Sequence, residues 1–533
     1  MSAGVQDRPG AIESGAPLRQ VPARVAAVSG VLAVAAALGF AHLIAGLLDP
    51  PSSPYLAVGK SFIDVTPAWL KDFAIATFGT SDKLVLLLGM GVVMSGFGAA
   101  VGLLARRDPR WGLLALVLLG AIGVVAVLAR PDTSAVGVIA PLSAIVAGAG
   151  ALVLLQRATL SGWPGTVERT PRGTPLPVSR RAFLGTSAAV AAGAGVATVV
   201  GQATSGRVDV AASQASVGAL PPVSPLPDVP AQADFSADGG LPFVTSNADF
   251  YRIDTAFSPP RLAAADWSLR IHGMVDKEIT LTFDELVKRP LVEQRMTLTC
   301  VSYDLGSDLV GNAVWVGVSL RDLLLEAGVQ AGADQIFSTS VDGFTASTPV
   351  VTVMEPDRGA MLAVNMNGQP LPVEHGFPVR MLVPGLYGFV SATKWITDIE
   401  LTTFATKQAY WTPRGWSDRG PVKIASKVVS SSSRATGSGF TTTVTGAAWA
   451  THLGITAVEV RIDGAAWQPA RLGADGGRDT WRMWRADFID VPRGEHTVQV
   501  RATGGDGVVQ TEAKAPPAPD GATGWHSMRI QVR

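Results

Sequence analysis

The chain has 533 residues, a formal net charge of zero from 43 basic and 43 acidic side chains, and a mean hydropathy of +0.30. Zero net charge gives no electrostatic argument for nucleic-acid binding, and 16% charged residues at this hydropathy excludes an ordinary soluble protein. The single cysteine excludes an intramolecular disulfide and any zinc or iron–sulfur site built on a CxxC pair.

The apolar excess lies in the first 204 residues. Arginines cluster before the first apolar run, between the second and third, and between the fourth and fifth, which predicts a cytoplasmic N-terminus and an extracytoplasmic remainder. We therefore predict a disordered tail over 1–18, a four-span transmembrane region over 19–158 and a fifth span over 179–204. The five runs lack the polar face of a core helix and are each about long enough to cross a bilayer: 25–48, 83–105, 111–129, 134–156 and 182–204.

The fifth run differs from the others because it is rich in alanine and glycine. It opens with Arg180 and Arg181 followed by Phe183 and Leu184, which resembles a twin-arginine export signal, the route for proteins that fold before export. The alternative is that the arginine pair only fixes the topology of a last helix. The following residues, 205–240, are dominated by proline, alanine and serine, which predicts an extended linker.

Two folds follow in series. Residues 241–424 alternate short apolar strands with helical segments, such as "SLRDLLLEAGV" opened by Ser319 and closed by Gly328, which predicts an α+β domain with mixed sheets. Residues 425–533 show strand-like alternation with turns and no helical pattern, which predicts a β-sandwich of the immunoglobulin type.

Cys300 lies in "TLTCVSYDLGS". From the residues alone it is a buried small hydrophobe, a catalytic nucleophile, or a thiolate ligand of a soft metal whose other ligands come from an organic cofactor. No histidine lies within 25 residues on either side, so a base for a nucleophile would have to come from a distant part of the chain.

Five segments in order carry a resemblance: "SNADFYRIDTAF", "RMTLTCVSYDLG", "NAVWVGVSLRDLL", "AVNMNGQPLPVEHGFPVRMLVPGLYG" and "ATKWITDIEL". Together they resemble the sulfite oxidase family of molybdopterin enzymes, including its bacterial relatives that reduce protein methionine sulfoxide. The resemblance covers about 245–533, because the sandwich corresponds to that family's dimerisation domain. It implies that Cys300 is a metal ligand, giving its thiolate to molybdenum beside two sulfurs of a pterin dithiolene.

The resemblance also implies the rest of the site. Arg252 would act with Cys300 in catalysis, and cofactor binding would fall to Asn247, Phe250, Tyr251, Ser340, His375, Arg380, Ser391, Ala392, Thr393 and Lys394. Three positions depart from sulfite oxidases: Leu305 and Leu453 replace substrate-holding arginines, and Val364 replaces a tyrosine near the metal. A dianion such as sulfite would meet less positive charge, so a neutral or weakly charged substrate is expected.

The implied function is a membrane-anchored, extracytoplasmic molybdenum oxidoreductase of a bacterial plasma membrane that moves an oxo group to or from a small sulfur- or nitrogen-containing substrate. Alternatives are sulfite oxidase proper and a non-catalytic membrane assembly protein that retains the cofactor fold; a transporter is disfavoured because the spans carry almost no charge. His42 has no histidine partner in another span, so haem is not expected. Expected partners are the lipid bilayer, a quinone-linked or soluble redox protein and, through the C-terminal domain, a second copy, but no nucleic acid.

Overall fold

The computed structural model describes residues 22–66, 70, 77, 82–130, 133–160, 180–205, 209–256, 259–437 and 439–533. Two compact units divide the chain, the first ending at Arg207 and the second beginning at Val208. The predicted tail over 1–18 lies outside the described residues.

The described part of the first unit is helical. Five of its helices are long and apolar enough to cross a membrane, which confirms the predicted number of apolar helices among the described residues. A further helix of 12 residues begins at Pro54, directly after Ser53, and was not predicted. The helices are α1 Ala23–Leu48, α2 Pro54–Val65, α3 Asp82–Arg107, α4 Pro109–Leu128, α5 Ile139–Leu160 and α6 Arg180–Ser205.

Small residues let the helices of this unit approach closely. A Cβ atom placed on Gly46 of α1 would lie 2.3 Å from the carbonyl oxygen of Gly201 of α6, so only glycine fits there. His42 lies nearby on α1, where its Nδ1 is 3.0 Å from Ser53 Oγ and its ring also hydrogen-bonds to Gln202. These contacts give His42 a packing role between α1, α6 and the segment that precedes α2.

The second unit contains two sheets and short helices, in line with the α+β prediction, but only the first sheet is mixed and the second is antiparallel throughout. One sheet has the order β2-β1-β10-β5-β6 with β1 and β10 parallel, and the other has the order β3-β4-β7-β8 with β9 beside β7. The strands are β1 Ser268–Gly273, β2 Ile279–Thr282, β3 Leu291–Thr299, β4 Val310–Ser319, β5 Gln335–Ser340, β6 Thr345–Pro349, β7 Met361–Met366, β8 Gln369–Pro370, β9 Arg380–Leu382 and β10 Ile396–Thr402. The helices are α7 Val210–Val217, α8 Phe283–Val287, α9 Leu320–Ala327, α10 Val350–Met354 and α11 Gly388–Ser391.

The ends of α9 show how local sequence sets these elements. Ser319 Oγ accepts a hydrogen bond from Asp322 N–H, and the helix ends at Gly328, whose φ of 70° is readily adopted only by glycine. Leu320 and Leu324 are buried, so α9 turns one face to the core between the sheets.

The C-terminal part contains two four-stranded antiparallel sheets, β11-β12-β16-β15 and β14-β13-β17-β18. Val444 and Trp484 from the first sheet and Val460 and Val500 from the second share one buried core. The sheets confirm the predicted β character, while the immunoglobulin type stays a prediction. The strands are β11 Ala425–Ala435, β12 Phe440–Trp449, β13 Ile455–Ile462, β14 Gln468–Pro469, β15 Arg471–Leu472, β16 Arg482–Val491, β17 Gly494–Gly504 and β18 His526–Val532.

The predicted linker, 205–240, differs from the extended tether that its composition indicates. Residues 209–240, which we call the strap, pack along the second unit from α7 onward. Val223 N–H donates to the carbonyl oxygen of Leu291 at 2.8 Å, and Phe235 is buried in a small cluster with Phe243, Trp449 and Trp481. A few large apolar residues spaced among proline and alanine are enough to hold the strap, and an average over the segment conceals them.

Candidate functional site

Most of the predicted site residues converge on one cavity of the second unit, which is open to solvent. Eight of the twelve line it: Phe250, Tyr251, Cys300, Ser340, His375, Arg380, Ala392 and Lys394. They come from chain segments up to 144 residues apart, brought together by the ends of β3, β5 and β9 and by the loop after α11. The sequence-based grouping of these eight residues therefore corresponds to a real cluster in space.

Cys300 is held at the cavity by a tight loop that follows β3. Its N–H donates to Leu309 O at 3.0 Å and its carbonyl oxygen accepts from Tyr303 N–H at 3.0 Å. The thiol is buried, and burial raises its pKa, although hydrogen bonds with Ser302 act in the opposite direction. A neutral, buried thiol is a poor free nucleophile but loses its proton when a metal binds.

Aromatic rings form the wall next to the thiol. Phe250 stacks on Tyr251 with ring centroids 5.3 Å apart, and it meets Trp315 and His375 edge to face at 5.8 and 5.5 Å. Burial raises the pKa of Tyr251, so its phenol is neutral at physiological pH and can donate a hydrogen bond into the cavity.

Two buried cations face the same space. Arg380 lies over the Trp315 ring at 5.1 Å and donates from Nη1 to the carbonyl oxygen of His375 at 3.1 Å. Burial lowers the pKa of Arg380 to about 10 and that of Lys394 to about 8, so both are predominantly charged at neutral pH. Two cations with little hydration suit a phosphate or similar anion.

His375 is neutral where it lies. Its Nε2 is 3.1 Å from the carbonyl oxygen of Asn247, and this contact assigns the ring proton to Nε2. Burial is the main cause that lowers the pKa of His375 to about 4, and the charges of Arg380 and Lys394 add to it.

Acid is expected to destabilise the folded protein through His375. Its ordinary pKa of 6.5 falls to about 4 in the folded state, so the unfolded state binds the extra proton between these values. In the cofactor-free protein, the stability advantage of the wild type over His375→Gln should shrink by up to about 3 kcal/mol as the pH falls from 7 to 4. Denaturant unfolding in detergent measures this; His272→Gln, on β1, controls for losing a histidine. Parallel pH profiles for wild type and His375→Gln would contradict the prediction.

Three of the remaining predicted residues lie behind the cavity wall. Asn247 contributes its backbone oxygen to His375. Ser391 Oγ donates to backbone oxygens of its own helical turn, and Thr393 Oγ1 lies 2.7 Å from Ser338 Oγ. These side chains support the lining rather than form it.

Arg252, predicted as catalytic, lies at the rim. Its side chain is 40% exposed, it is absent from the lining, and its Nε is 3.0 Å from Asp254 Oδ2. The carboxylate of Asp254 is itself 4% exposed and lies 2.8 Å from Lys394 Nζ. Sequence reasoning missed Asp254, although it stands two residues after Arg252 in a segment already singled out.

The three departures from sulfite oxidases also lie off the cavity. Val364 is buried in the core on β7, Leu453 is exposed, and Leu305 packs near Gly524. None of them lines the cavity in the part of the chain that the structure describes. The charge that a substrate meets is therefore set by other residues, those of the lining itself.

The outer part of the lining, which sequence reasoning missed, is aromatic and acidic. Trp416 lies 6.1 Å from Phe389 and 6.2 Å from Trp411, measured between ring centroids. Two carboxylates, Asp254 and Asp342, balance the two lining cations, Arg380 and Lys394. The tryptophans stand out in "YWTPRGW", but nothing in that segment indicates that it reaches the cavity.

A polar, anionic cofactor fits this cavity. Among the residues that the structure describes, the buried Ser340 Oγ and Arg380 Nε have no hydrogen-bond partner, and both residues belong to the lining. Buried polar atoms of this kind are normally satisfied, so a ligand that accepts from them would be stabilised. The thiol of Cys300, the two cations and the stacked rings together match a metal that is carried by an organic group bearing an anion.

Comparisons with known proteins agree. Residues 256–411 match the family described as "Oxidoreductase molybdopterin binding domain". An uncharacterised oxidoreductase, YuiH of Bacillus subtilis (strain 168), is 32% identical over 154 residues, which cover 29% of this chain and 74% of that protein. Mitochondrial sulfite oxidase of Macaca fascicularis is 26% identical over 289 residues, or 45% of this chain and 52% of that protein. NADH nitrate reductase of Volvox carteri is 30% identical over 177 residues, or 28% of this chain and only 20% of that protein.

Proposed function

The chain belongs to the sulfite oxidase family of molybdopterin-dependent oxidoreductases, and we propose that Cys300 binds the molybdenum of the cofactor in the cavity described above. We further propose that the enzyme transfers an oxo group to or from a neutral sulfur- or nitrogen-containing substrate. The observation that carries this proposal is the convergence of a buried thiol, two buried cations and unsatisfied polar atoms on one cavity.

Each residue has a definite task in this proposal. The cofactor, when bound, supplies a metal that can exchange an oxygen atom and two electrons with a substrate. Cys300 provides the thiolate, and Arg380 and Lys394 hold the cofactor's phosphate. Ser340 Oγ supplies a polar group at the edge of the pocket. His375 Nε2–H donates to Asn247 O and so anchors the loop that carries Asn247.

The charges of the lining favour a neutral substrate. If the phosphate neutralises Arg380 and Lys394, and Arg252 stays paired with Asp254, the lining charge that remains is the carboxylate of Asp342. A dianion such as sulfite would meet this carboxylate without the charge-assisted hydrogen bonds, each about 1.5–3 kcal/mol, that could offset its desolvation. The aromatic outer wall suits a neutral alkyl or aryl group.

The membrane arrangement is part of the proposal. The N-terminus would lie in the cytoplasm and the second unit outside the plasma membrane of a bacterium, because Arg106, Arg107 and Arg110 join α3 and α4 on the side shared by Arg157 and Arg181. The twin-arginine-like start of α6 would serve export after cofactor loading. A quinone-linked or soluble redox protein would exchange electrons, and the C-terminal sheets, as an immunoglobulin-like sandwich, would support a homodimer.

Metal analysis with cofactor extraction tests the proposal, together with two steady-state assays on the purified protein. We expect molybdenum and pterin in the wild type, turnover of sulfoxides or N-oxides with reduced viologen, and weak turnover of sulfite with an electron acceptor. Robust sulfite turnover would favour sulfite oxidase proper. Absence of molybdenum from the natural protein would favour a non-catalytic assembly protein.

The aromatic wall is expected to set substrate affinity. Trp416→Ala should raise the KM for a neutral sulfoxide about tenfold, or about 1.4 kcal/mol, because a large apolar contact to the substrate is lost. Molybdenum content should not change. Steady-state kinetics beside Trp525→Ala, which removes a tryptophan outside the cavity, measures this. A KM equal to that of the Trp525 variant would show that the wall does not contact the substrate.

A further inference from the structure

Asp254 is a buried carboxylate that joins two cations at the cavity wall. One oxygen, Oδ2, lies 2.8 Å from Lys394 Nζ and 3.0 Å from Arg252 Nε. Burying a carboxylate is strongly unfavourable unless cations and hydrogen bonds compensate, and removing either partner leaves an uncompensated charge. The geometry therefore makes Asp254 and Lys394 depend on each other.

Lys394 is oriented by contacts on three sides. In addition to Asp254, its Nζ donates to the carbonyl oxygen of Glu374 at 3.0 Å and lies 4.5 Å from the centre of the Trp395 ring. An ammonium group has three N–H donors, so one remains for an acceptor inside the cavity that Lys394 lines. A lysine free to rotate would lose this direction, because the compact ammonium on its flexible stem has no fixed geometry of its own.

We propose that Asp254 is a positioning residue that keeps Lys394 charged and aimed at the anionic end of the cofactor. The inference rests on the proposed function, since it takes Lys394 as a phosphate ligand. It adds a second role for the segment that carries Phe250 and Tyr251: the same loop that stacks rings beside the thiol also supplies the counter-charge for the anion site. Arg252 is then a rim cation that shares the carboxylate and does not touch the substrate.

The charges around Lys394 predict the direction of a pH effect. Burial lowers its pKa to about 8, Asp254 counteracts this, and the nearby cations Arg380 and Arg252 reinforce it. The charge of Lys394 also lowers the pKa of His375, which is neutral at pH 7. The positive charge of Lys394 is present below its pKa and lost as the pH rises through it. Without Asp254 the pKa of Lys394 should fall further. Lys394 then loses its charge at a lower pH, and anion binding in the cavity should weaken at that lower pH.

The test measures retention of the cofactor in the full-length holoenzyme, independently of turnover. Molybdenum and extractable pterin per chain are followed after dilution at pH 6.5, 7.5 and 8.5. We expect Asp254→Asn to release the cofactor at least tenfold faster than wild type at pH 7.5 and to reach the wild type's pH 8.5 behaviour about one unit lower. Asp254→Glu should restore most of the retention. Asp342→Asn is the matched control, because it removes a lining carboxylate that accepts from Phe344 N–H and should leave retention unchanged.

A double variant separates positioning from a merely structural role. If Asp254 acts through Lys394, adding Asp254→Asn to Lys394→Met should change the release rate less than twofold. If the two substitutions instead multiply each other's effect on the rate of cofactor release, the inference is wrong. If Asp254→Asn alone does not fold, the double variant Asp254→Asn/Arg252→Gln replaces it in the same comparison with Lys394→Met, because it removes a cation together with the carboxylate. Wild type without molybdenum would defeat the proposed function; release by Lys394→Met with unchanged retention in Asp254→Asn would defeat only this inference.

Discussion

Replacing Cys300 with serine is expected to lower oxo-transfer turnover at least about a thousandfold, a loss of about 4 kcal/mol of transition-state stabilisation. The thiol is buried in the cavity at the end of β3, and the chain has no second cysteine to replace it. A serine hydroxyl of nearly the same shape is a harder and weaker donor for a metal that takes sulfur ligands. Turnover of a small sulfoxide with reduced viologen, expressed per bound molybdenum, measures the change.

The fold should survive this substitution, because the loop is held by backbone hydrogen bonds and not by the thiol: Cys300 N–H donates to Leu309 O, and Tyr303 N–H donates to Cys300 O. An unchanged melting temperature of the cofactor-free variant is the control. Cys300→Ala should behave like Cys300→Ser if the effect is loss of a ligand. Full turnover by Cys300→Ser at normal molybdenum content would show that the thiolate is not a ligand.

Replacing Arg380 with methionine should have opposite effects on the empty and the loaded protein. Without cofactor the free energy of unfolding should stay equal or rise by about 1 kcal/mol, because a buried cation without a carboxylate partner among the described residues is replaced by an apolar chain of similar length. Cofactor retention should fall at least about a hundredfold, or about 3 kcal/mol, because charge-assisted hydrogen bonds to the phosphate are lost. Thermal unfolding of the empty protein and molybdenum content after gel filtration measure the two effects.

Arg358→Met is the matched control. Arg358 is also largely buried, pairs with Glu355 and donates to Pro384 O, but it does not line the cavity. We expect this variant to lose stability and to keep its cofactor. Normal retention by Arg380→Met, or equal destabilisation of both empty variants, would remove Arg380 from the anion site.

Features set by local sequence could be predicted closely. The uninterrupted apolar runs predicted the five long helices, and Ser319 and Gly328 predicted both ends of α9, because propensity, capping and burial point to the same structure. The resemblance grouped eight residues that do share a cavity.

Features set by contacts between distant residues could not be predicted in this way. Asp254 and Lys394 are 140 residues apart, so the sequence shows a carboxylate and a lysine but not their ion pair. Arg252 was assigned from the resemblance alone, and its pairing with Asp254 depends on the path of one loop. Trp411 and Trp416 come after β10 in the chain and reach the cavity through a loop. No periodic pattern in the sequence indicates the path of that loop.

The strap covers part of an exposed sheet edge in the second unit. β3 is the outermost strand of its sheet, and such a strand offers unpaired N–H and C=O groups to any neighbouring chain. The strap covers its beginning, where Ser224 forms a parallel bridge with Val292, and Asp479 O accepts from Thr297 N–H near its end. A fragment that starts at residue 241, where the composition suggests a domain boundary, would leave the first half of this edge open to self-association. We therefore expect the proline-rich segment to limit self-association of the domain that it precedes.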